Sequence, residues 1–492
     1  MNANTDHFVI KTLAWAALIG FVTAIAMDAY AIDFPATSTD PLRTNPPILE
    51  TGAVLPRDTT PISCPPPVDL TQPLALHDAV DLALCNNSQV KIAWAAIKIQ
   101  ASAAGEARAA YLPTLTSSIS VLRNRTRYPG FPDSNTSTNG HTTYAALNWR
   151  LFDFGSRSAN QDAANQLLIS ALASHDAVLQ RTLAAVTGAY FDALTADAAR
   201  EARSQATALA QETSAASQRR EDKGAAGRND TLQANTALAK AKLAEQRAWG
   251  DYRKALAVLG YALGVPTGTP TVLPKDNPIP PARATDDLAL WLDVARQKHP
   301  AIIAAKTQWG AAKSKAASAR ADGLPTVDFV TNYYQNGYPN QGLQPTKSNT
   351  MTAGVTINIP LFDGFARTYK IREAQAQIEQ SEAQMEDVEH QILSEVVKAH
   401  ADALSSLANL ESSEILLKSA EDAVASVQNR YSRGVANILE MLSVQSALAD
   451  AQQERVRCLS EWRAARFRLM ANAGLLGSDL IVDESTALHL SQ

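Results

Sequence analysis

The stretch that most constrains this chain alternates strictly between apolar and polar side chains. Met351, Val355 and Ile357 fall on one parity, and Thr352 and Thr356 fall on the other. Because successive side chains of a strand point to opposite faces, the stretch predicts a strand with one apolar face and one polar face. A soluble sheet and a membrane barrel both use such strands, so the pattern alone leaves the two open.

The same signal occurs twice, because the chain contains a tandem duplication. The motif Leu151-Phe152-Asp153 after one strand run recurs at a constant offset as Leu361-Phe362-Asp363 after the other. We therefore predict two like repeats, residues 74–265 and 286–476, joined by a Pro-rich linker at 266–285. For each repeat the sequence pattern predicts a helix, then a strand pair, then a long helical hairpin.

The hairpins dominate the length of the chain. Residues 158–221 contain no Pro and a single Gly, and a helix of that length reaches on the order of 100 Å. Gly224 and Gly434 stand where each long helix must turn back, and Gly suits the left-handed position that ends a helix. The strand pairs and the long helices together predict a mainly α protein with a membrane β-barrel.

The N-terminus has the layout of an export signal. Residues 1–31 carry a Lys, an apolar run and a small-x-small site, which predicts a signal peptide, with an uncleaved anchor as the alternative. Residues 32–73 form a Pro- and Thr-rich extension that holds no core, and residues 477–492 form a short C-terminal tail.

Cysteine usage is sparse, with three residues in the whole chain. In an exported protein Cys64 and Cys85 are close enough in sequence to form a disulfide, and Cys458 is then left over. Three unpaired thiols are the alternative.

Motifs for chemistry are missing from the sequence. The formal net charge is −5, so there is no basic footprint for nucleic acid. The eight His are scattered, and no metalloprotease, nucleophile-elbow or phosphate-loop pattern occurs. The sequence therefore predicts neither an enzyme nor a cofactor or metal site.

Barrel closure requires more than one chain. Four strands cannot close on themselves, and an open sheet edge in hydrocarbon leaves unpaired backbone groups that cost several kcal/mol each. Two copies would give eight strands with a filled interior, and three would give twelve, which is wide enough for a pore. Helices on the order of 100 Å long must project into water.

The repeated Leu-Phe-Asp motif, the duplication and the hairpin ending in L-G-Y-A-L-G at residues 259–264 together resemble the TolC family of outer-membrane efflux proteins. The resemblance implies a homotrimer in outer-membrane lipid, with a twelve-stranded barrel and a periplasmic α-barrel. It also implies a periplasmic adaptor and an inner-membrane ABC or proton-driven pump. The segments before the first strand look most like exporters of haemolysin or cyclolysin toxins.

Function is therefore expected to be that of an exit duct, most simply for type I secretion of a polypeptide. A duct for small-molecule or multidrug efflux is the alternative, and a coiled-coil structural protein of the cell surface is a lower one.

The resemblance also assigns a periplasmic gate to the hairpin tips. Asp230 and Tyr431 stand at the positions that tie the closed entrance, and Glu440 stands at a ring of acids in the lumen. This chain departs from the family pattern at two positions, since Ala436 replaces an Arg and Ser443 replaces the second acid. Nearby arginines that could substitute are Arg228 and Arg433.

Overall fold

The computed structural model describes residues 42, 72–127, 129–130, 135–266, 268–274, 287–336 and 348–475. Leu42 belongs to a separate unit, Met1–Asn45, and all other described residues belong to the unit Pro46–Gln492. The predicted signal peptide, most of the extension and linker, and the C-terminal tail lie outside the described residues.

The first repeat contains four helices and two strands in the described part of the chain. They are α1 (Leu76–Asn86), α2 (Ser88–Ala109), β1 (Thr114–Thr126), β2 (Thr136–Phe152), α3 (Ser156–Asp222) and α4 (Arg228–Leu263).

The second repeat has the same order of elements. They are α5 (Leu288–Lys298), α6 (Pro300–Ala321), β3 (Thr326–Gln335), β4 (Asn349–Asn358), α7 (Ala366–Ser432) and α8 (Ile438–Asn472). The two long helices, α3 and α7, have 67 residues each, as the duplication predicts.

The strands form one antiparallel sheet in the order β1-β2-β3-β4. Leu115 pairs with Leu147, and Tyr333 pairs with Met351, so these side chains share one face of the sheet. We call this the apolar face. Its apolar members, by register, are Leu115, Ile119, Val121, Ala145, Leu147, Trp149, Val327, Phe329, Tyr333, Met351, Ala353, Val355 and Ile357.

The apolar face is exposed to the surroundings. Leu115 is 74% exposed, Val121 77% and Ile357 62%, where a soluble sheet would bury such side chains against a second layer. The opposite, polar face carries Tyr144, whose hydroxyl donates to Asn332 Oδ1 at 3.1 Å, and an Arg150–Asp328 ion pair at 2.9 Å. The alternation read from the sequence is therefore present in the fold.

The helices form a layer that continues from the sheet. Near the strands, α2 packs on α3, α3 on α6 and α6 on α7, and further away α4 packs on α3, α3 on α8 and α8 on α7. The helical layer thus has two lateral edges, one formed by α2 with α4 and the other by α7.

Shorter helices meet end to end inside this layer. A Cβ on Gly264, at the end of α4, would lie 2.8 Å from the backbone of Asn86, and a Cβ on Gly474, after α8, would lie 3.0 Å from His299 Cα. Both glycines have φ of +71°. Only Gly satisfies both the left-handed backbone and the close approach, so the two joints have the same construction.

The main hydrophobic core surrounds the first of these joints. It gathers side chains from α1, α3, α4 and α8, including Tyr190, Leu259 and Phe467. Burial raises the pKa of Tyr190 to about 12, and its hydroxyl donates to the Leu74 carbonyl at 3.0 Å. Burying each large side chain contributes about 1.5–3 kcal/mol, so this core fixes the midpoint of α3.

Candidate functional site

The junction between strand and helix is held by one carboxylate in the first repeat. Asp153 is buried and follows β2; its Oδ1 accepts from the Gly155 N–H at 3.3 Å, and its Oδ2 accepts from the Arg157 backbone N–H at 3.1 Å. The carboxylate therefore caps α3, where the helix dipole favours negative charge.

Arg157 extends this junction to neighbouring elements. Its Nε donates to Asp153 Oδ2 at 2.8 Å, and its Nη1 donates to the carbonyl oxygens of Ala110 at 3.3 Å and Arg150 at 2.8 Å. The guanidinium also lies 4.6 Å from the centre of the Tyr111 ring. One side chain thus joins the end of β2, the start of α3 and the residue that follows α2.

The second repeat builds the junction with the same residue types. Asp363 Oδ2 accepts from the Arg367 backbone N–H at 2.9 Å, while the Arg367 guanidinium donates to the carbonyls of Gly323 and Arg320 at 3.0 Å each. The Asp of the predicted motif therefore starts the long helix in both repeats.

The motif residues before each Asp are exposed at the base of the sheet. Leu151 is 44% exposed, Phe152 51%, Leu361 91% and Phe362 77%. Aromatic and aliphatic side chains in such a band are typical of a membrane–water interface.

The tip of each hairpin turns at the predicted glycine. Gly224 and Gly434 have φ of +71° and +72°. After them, the Ala225 N–H donates to the Arg220 carbonyl at 2.8 Å, and the Val435 N–H donates to the Arg430 carbonyl at 2.9 Å. These bonds across the glycine close each long helix with a Schellman motif.

Tyr431 joins the two hairpins near their tips. Its hydroxyl lies 3.3 Å from Ser217 Oγ on α3, and the Arg220 guanidinium lies 5.0 Å from the centre of its ring. Among the described hydrogen bonds, none joins Asp230 to Tyr431; Asp230 stands half-buried in the first turn of α4. The predicted role of Asp230 in the gate stays a prediction.

Glu440 pairs within its own hairpin. The Arg430 Nη1 lies 2.6 Å from Glu440 Oε1, and Asn437 caps α8 by accepting from the Glu440 N–H at 2.8 Å. Arg228 and Arg433 are exposed, and no described ion pair contains either of them.

The two departures from the family pattern have different surroundings. Ala436 is 7% exposed and packs in a small cluster with Val427 and Met441, where an Arg would not fit without opening the cluster. Ser443 lines a cavity of about 940 Å³ between α3, α4 and α8.

Sequence reasoning missed Arg430, Arg220 and Ser217. Arg430 is the last basic residue of α7 and Glu440 the acid in the first turn of α8, so charge at the two helix ends could have suggested that pair. The contacts of Tyr431 with Ser217 and Arg220 join residues on different hairpins, and no local pattern indicates them.

A histidine holds the joint of the second repeat. His299 caps α6, its Nδ1 accepting from the Ala301 N–H at 3.2 Å, and burial lowers its pKa to about 4. The charge of Glu395 opposes that shift, and Arg181 adds to it. In the first repeat Asn87 caps α2 at the equivalent place, accepting from the Gln89 N–H at 2.8 Å.

The cysteines divide into bonded and free. Cys85, near the end of α1, is disulfide-bonded, and Cys458 is a buried free thiol whose pKa burial raises. Cys64 lies outside the described residues, so its predicted pairing with Cys85 stays a prediction.

Within the described ranges, no group of three or more His, Cys, Asp or Glu side chains is placed to hold a metal ion. None of the described helices is both long and apolar enough to cross a bilayer.

Comparison with protein families gives a match over both repeats. The model for "Outer membrane efflux protein" matches residues 79–265 and 291–475. The chain belongs to the outer membrane efflux protein family. Members of this family are export channels rather than enzymes, and their location is the outer membrane with a periplasmic helical tunnel. The predicted family, fold class and location are therefore confirmed.

Relatives within the family cover nearly the whole chain. Protein CyaE of Bordetella pertussis is 37% identical over 472 residues, which is 96% of each chain. The alkaline protease secretion protein AprF of Pseudomonas aeruginosa is 27% identical over 424 residues, covering 82% of this chain and 85% of AprF. The crystal structure of CusC superposes with a TM-score of 0.71 at 17% identity, covering 81% of this chain and 91% of CusC.

Proposed function

We propose that three copies of this chain assemble into an outer-membrane channel that serves as the exit duct of a protein-export machine. The observation that carries the proposal is that both layers of the protomer end in unsatisfied edges. In the sheet, β1 and β4 each pair with one described strand. Backbone groups left unpaired in hydrocarbon cost several kcal/mol each, so β1 of one copy must find β4 of another.

The helical layer has edges of the same kind. At one edge α4 exposes Leu243 and Val258, and at the other α7 exposes Leu404 and Ile415. Apolar stripes along the sides of long helices are the usual signature of lateral helix packing.

The heights of these exposed side chains agree. Counting about 1.5 Å per residue from the tip end of each helix, Leu243 lies roughly 22 Å above the start of α4 and Ile415 roughly 25 Å above the end of α7. Val258 and Leu404 lie at roughly 45 and 42 Å by the same count. The two edges can therefore meet with apolar residues facing each other.

A single rotation from one copy to the next can pair the edges of the sheet and the edges of the helical layer at the same time. In the sheet β1 is at one side and β4 at the other, and in the helical layer α2 with α4 is at one side and α7 at the other. A head-to-tail contact of this kind closes into a ring when the rotation permits. Two copies give eight strands, whose interior side chains fill, whereas three give twelve strands and an open lumen.

Cargo is inferred from the relatives. AprF carries alkaline protease secretion in its name, and it covers 82% of this chain. We infer that this channel exports a polypeptide and works with a periplasmic adaptor and an inner-membrane transporter, of which an ABC transporter is the type expected for protein cargo. The two repeats, 74–265 and 286–476, each supply a strand pair to the barrel and a helical hairpin to the tunnel.

The tips are proposed as the gate. Tyr431 with Ser217 and Arg220 holds the two hairpins of one copy together, and the Arg430–Glu440 pair stiffens the second turn. An exposed ion pair such as Arg430–Glu440 contributes about 0 to 1 kcal/mol, so a binding partner can break it when the gate opens.

Cross-linking of the edges tests the assembly. Leu243→Cys combined with Ile415→Cys, in a Cys458→Ala background, is expected to give a covalent ladder that ends at three chains when treated with a short bismaleimide. Within one copy the two positions are separated by roughly three interhelical spacings of about 9 Å each, which is beyond the reagent. The single-cysteine variants serve as controls and should give no ladder. A ladder that ends at two chains, or none, would contradict the ring.

Secretion by the host tests the cargo. Deleting the chain is expected to leave an exported polypeptide inside the cell, and restoring it should return that polypeptide to the medium. Unchanged secretion together with greater sensitivity to toxic small molecules would contradict protein export.

A further inference from the structure

The apolar face ends in positive charge at the far end of β1. Arg123 and Arg125 continue the parity of Val121 and are exposed. By register Arg123 lies opposite Asn139, and Arg125 lies opposite Ser137, so neither faces an acid on the neighbouring strand.

The distance along the strand places these arginines at a membrane surface. From Leu115, at the end joined to the helices, to Arg125 is about 33 Å at about 3.3 Å per residue. With a tilt of about 40° this is a rise of roughly 25 Å, which is the height of the apolar band of an outer-membrane barrel. The helices are periplasmic, so the opposite end of the strand lies at the outer leaflet.

The charges on this end are uncompensated within the described residues. No described ion pair contains Arg123, Arg125 or Arg127, whereas Arg150 on the polar face pairs with Asp328 at 2.9 Å. A guanidinium at the edge of hydrocarbon is stabilised by an anion close by.

We propose that Arg123 and Arg125 bind the phosphate groups of an anionic phosphorylated lipid in the outer leaflet. The planar fork of each Arg matches two phosphate oxygens, and Ile119 and Val121 directly below offer an apolar surface to the acyl chains. A free phosphate would not use that surface. The proposal rests on the membrane location of the sheet and not on the cargo or the number of copies. A neighbouring copy would pair with the backbone edge of β1, and the outward face that carries the two arginines would stay in contact with lipid.

The repeat provides an internal comparison. At the offset that relates β1 to β3, Gln335 stands where the first repeat has Arg123, and its side chain shares the apolar face with Tyr333. The site therefore belongs to the first repeat, and substitutions that exchange the two residue types make matched variants.

Binding of bisphosphorylated lipid A to the full-length protein in detergent, measured by native mass spectrometry, tests the proposal. Arg123→Gln with Arg125→Gln is expected to weaken binding roughly twenty-fivefold, since each basic side chain near an anionic membrane surface contributes about fivefold. Lysine at both positions should recover only part of the affinity, because it keeps the charge but loses the bidentate fork, and Gln335→Arg should increase the affinity. Circular dichroism checks that each variant keeps its helices.

Three results would overturn the proposal. The first is equal affinity of the double Gln variant and the parent. The second is equal binding of lipid A from which the phosphates have been removed, which would indicate apolar contact alone. The third is displacement of the lipid by millimolar inorganic phosphate, which would identify a small-anion site instead.

Discussion

The histidine at the joint of the second repeat predicts acid sensitivity that one substitution should remove. His299 Nδ1 accepts a hydrogen bond from the Ala301 N–H, which only the neutral ring can do at that nitrogen. Replacing it by Asn, the residue that caps the equivalent helix in the first repeat, retains an acceptor that does not titrate. We therefore expect His299→Asn to fold like the parent at pH 7 and to resist acid better.

The magnitude follows from the shift in pKa. Burial lowers the pKa of His299 from 6.5 to about 4. Between these two values the unfolded chain binds a proton that the folded protein does not, so stability is full above pH 6.5 and is lost as the pH falls towards 4. At pH 5 the loss is about 2 kcal/mol, and below pH 4 it approaches about 3.4 kcal/mol, at about 1.36 kcal/mol per pH unit.

Guanidinium unfolding followed by tryptophan fluorescence at pH 7 and pH 5 measures this loss. Every other titrating group is shared by the parent and His299→Asn, so the difference between their pH dependences isolates residue 299. The variant should lose about 2 kcal/mol less than the parent between the two values. Asn87→His is the matched control, because it places a titratable cap in the first repeat and should increase acid sensitivity. Equal losses in the parent and His299→Asn would refute the argument.

Three further substitutions probe the turns, the junction and the tip. Gly264→Ala should destabilise more than Gly224→Ala in thermal unfolding, because both glycines have positive φ but a Cβ on Gly264 also meets backbone at 2.8 Å; equal losses would contradict this. Arg157→Met should cost about 1.5–3 kcal/mol, seen as loss of folded protein in outer-membrane fractions, because it removes the charged donor to the buried Asp153 carboxylate while the two backbone N–H donors remain. Tyr431→Ala should raise single-channel conductance in planar bilayers more than Tyr431→Phe, which keeps the ring beneath Arg220. If both variants conduct like the parent, Tyr431 is not part of the gate.

The architecture was predictable because its signals are local and occur twice. Alternation in β4 and the Leu-Phe-Asp motif each sit within a few residues, and the constant offset between repeats predicts long helices of equal length, as α3 and α7 have. Gly224 and Gly434 could be assigned to the turns because a left-handed residue at a helix end restricts the choice of side chain.

The contacts at the tips were not predictable in the same way. Arg220 and Tyr431 lie on different hairpins, and their approach depends on how α3, α7 and α8 pack. The family pattern predicted a gate role for Asp230 and an Arg at position 436, where this chain has Ala. The structure instead buries Ala436 and gives Glu440 a partner within its own hairpin.

The cap at His299 illustrates a second limit. In sequence it is a lone His before a Pro, and only the fold shows that it replaces Asn87 of the first repeat and lies against Gly474. Burial, which comes from tertiary packing, then determines its pKa.

The central claim is that the open edges of one protomer are closed by two identical neighbours. The most direct measurement is the mass of the detergent-solubilised protein by light scattering with the detergent contribution subtracted. We predict a mass of three chains that persists on dilution. A stable mass of one chain or of two would contradict the account.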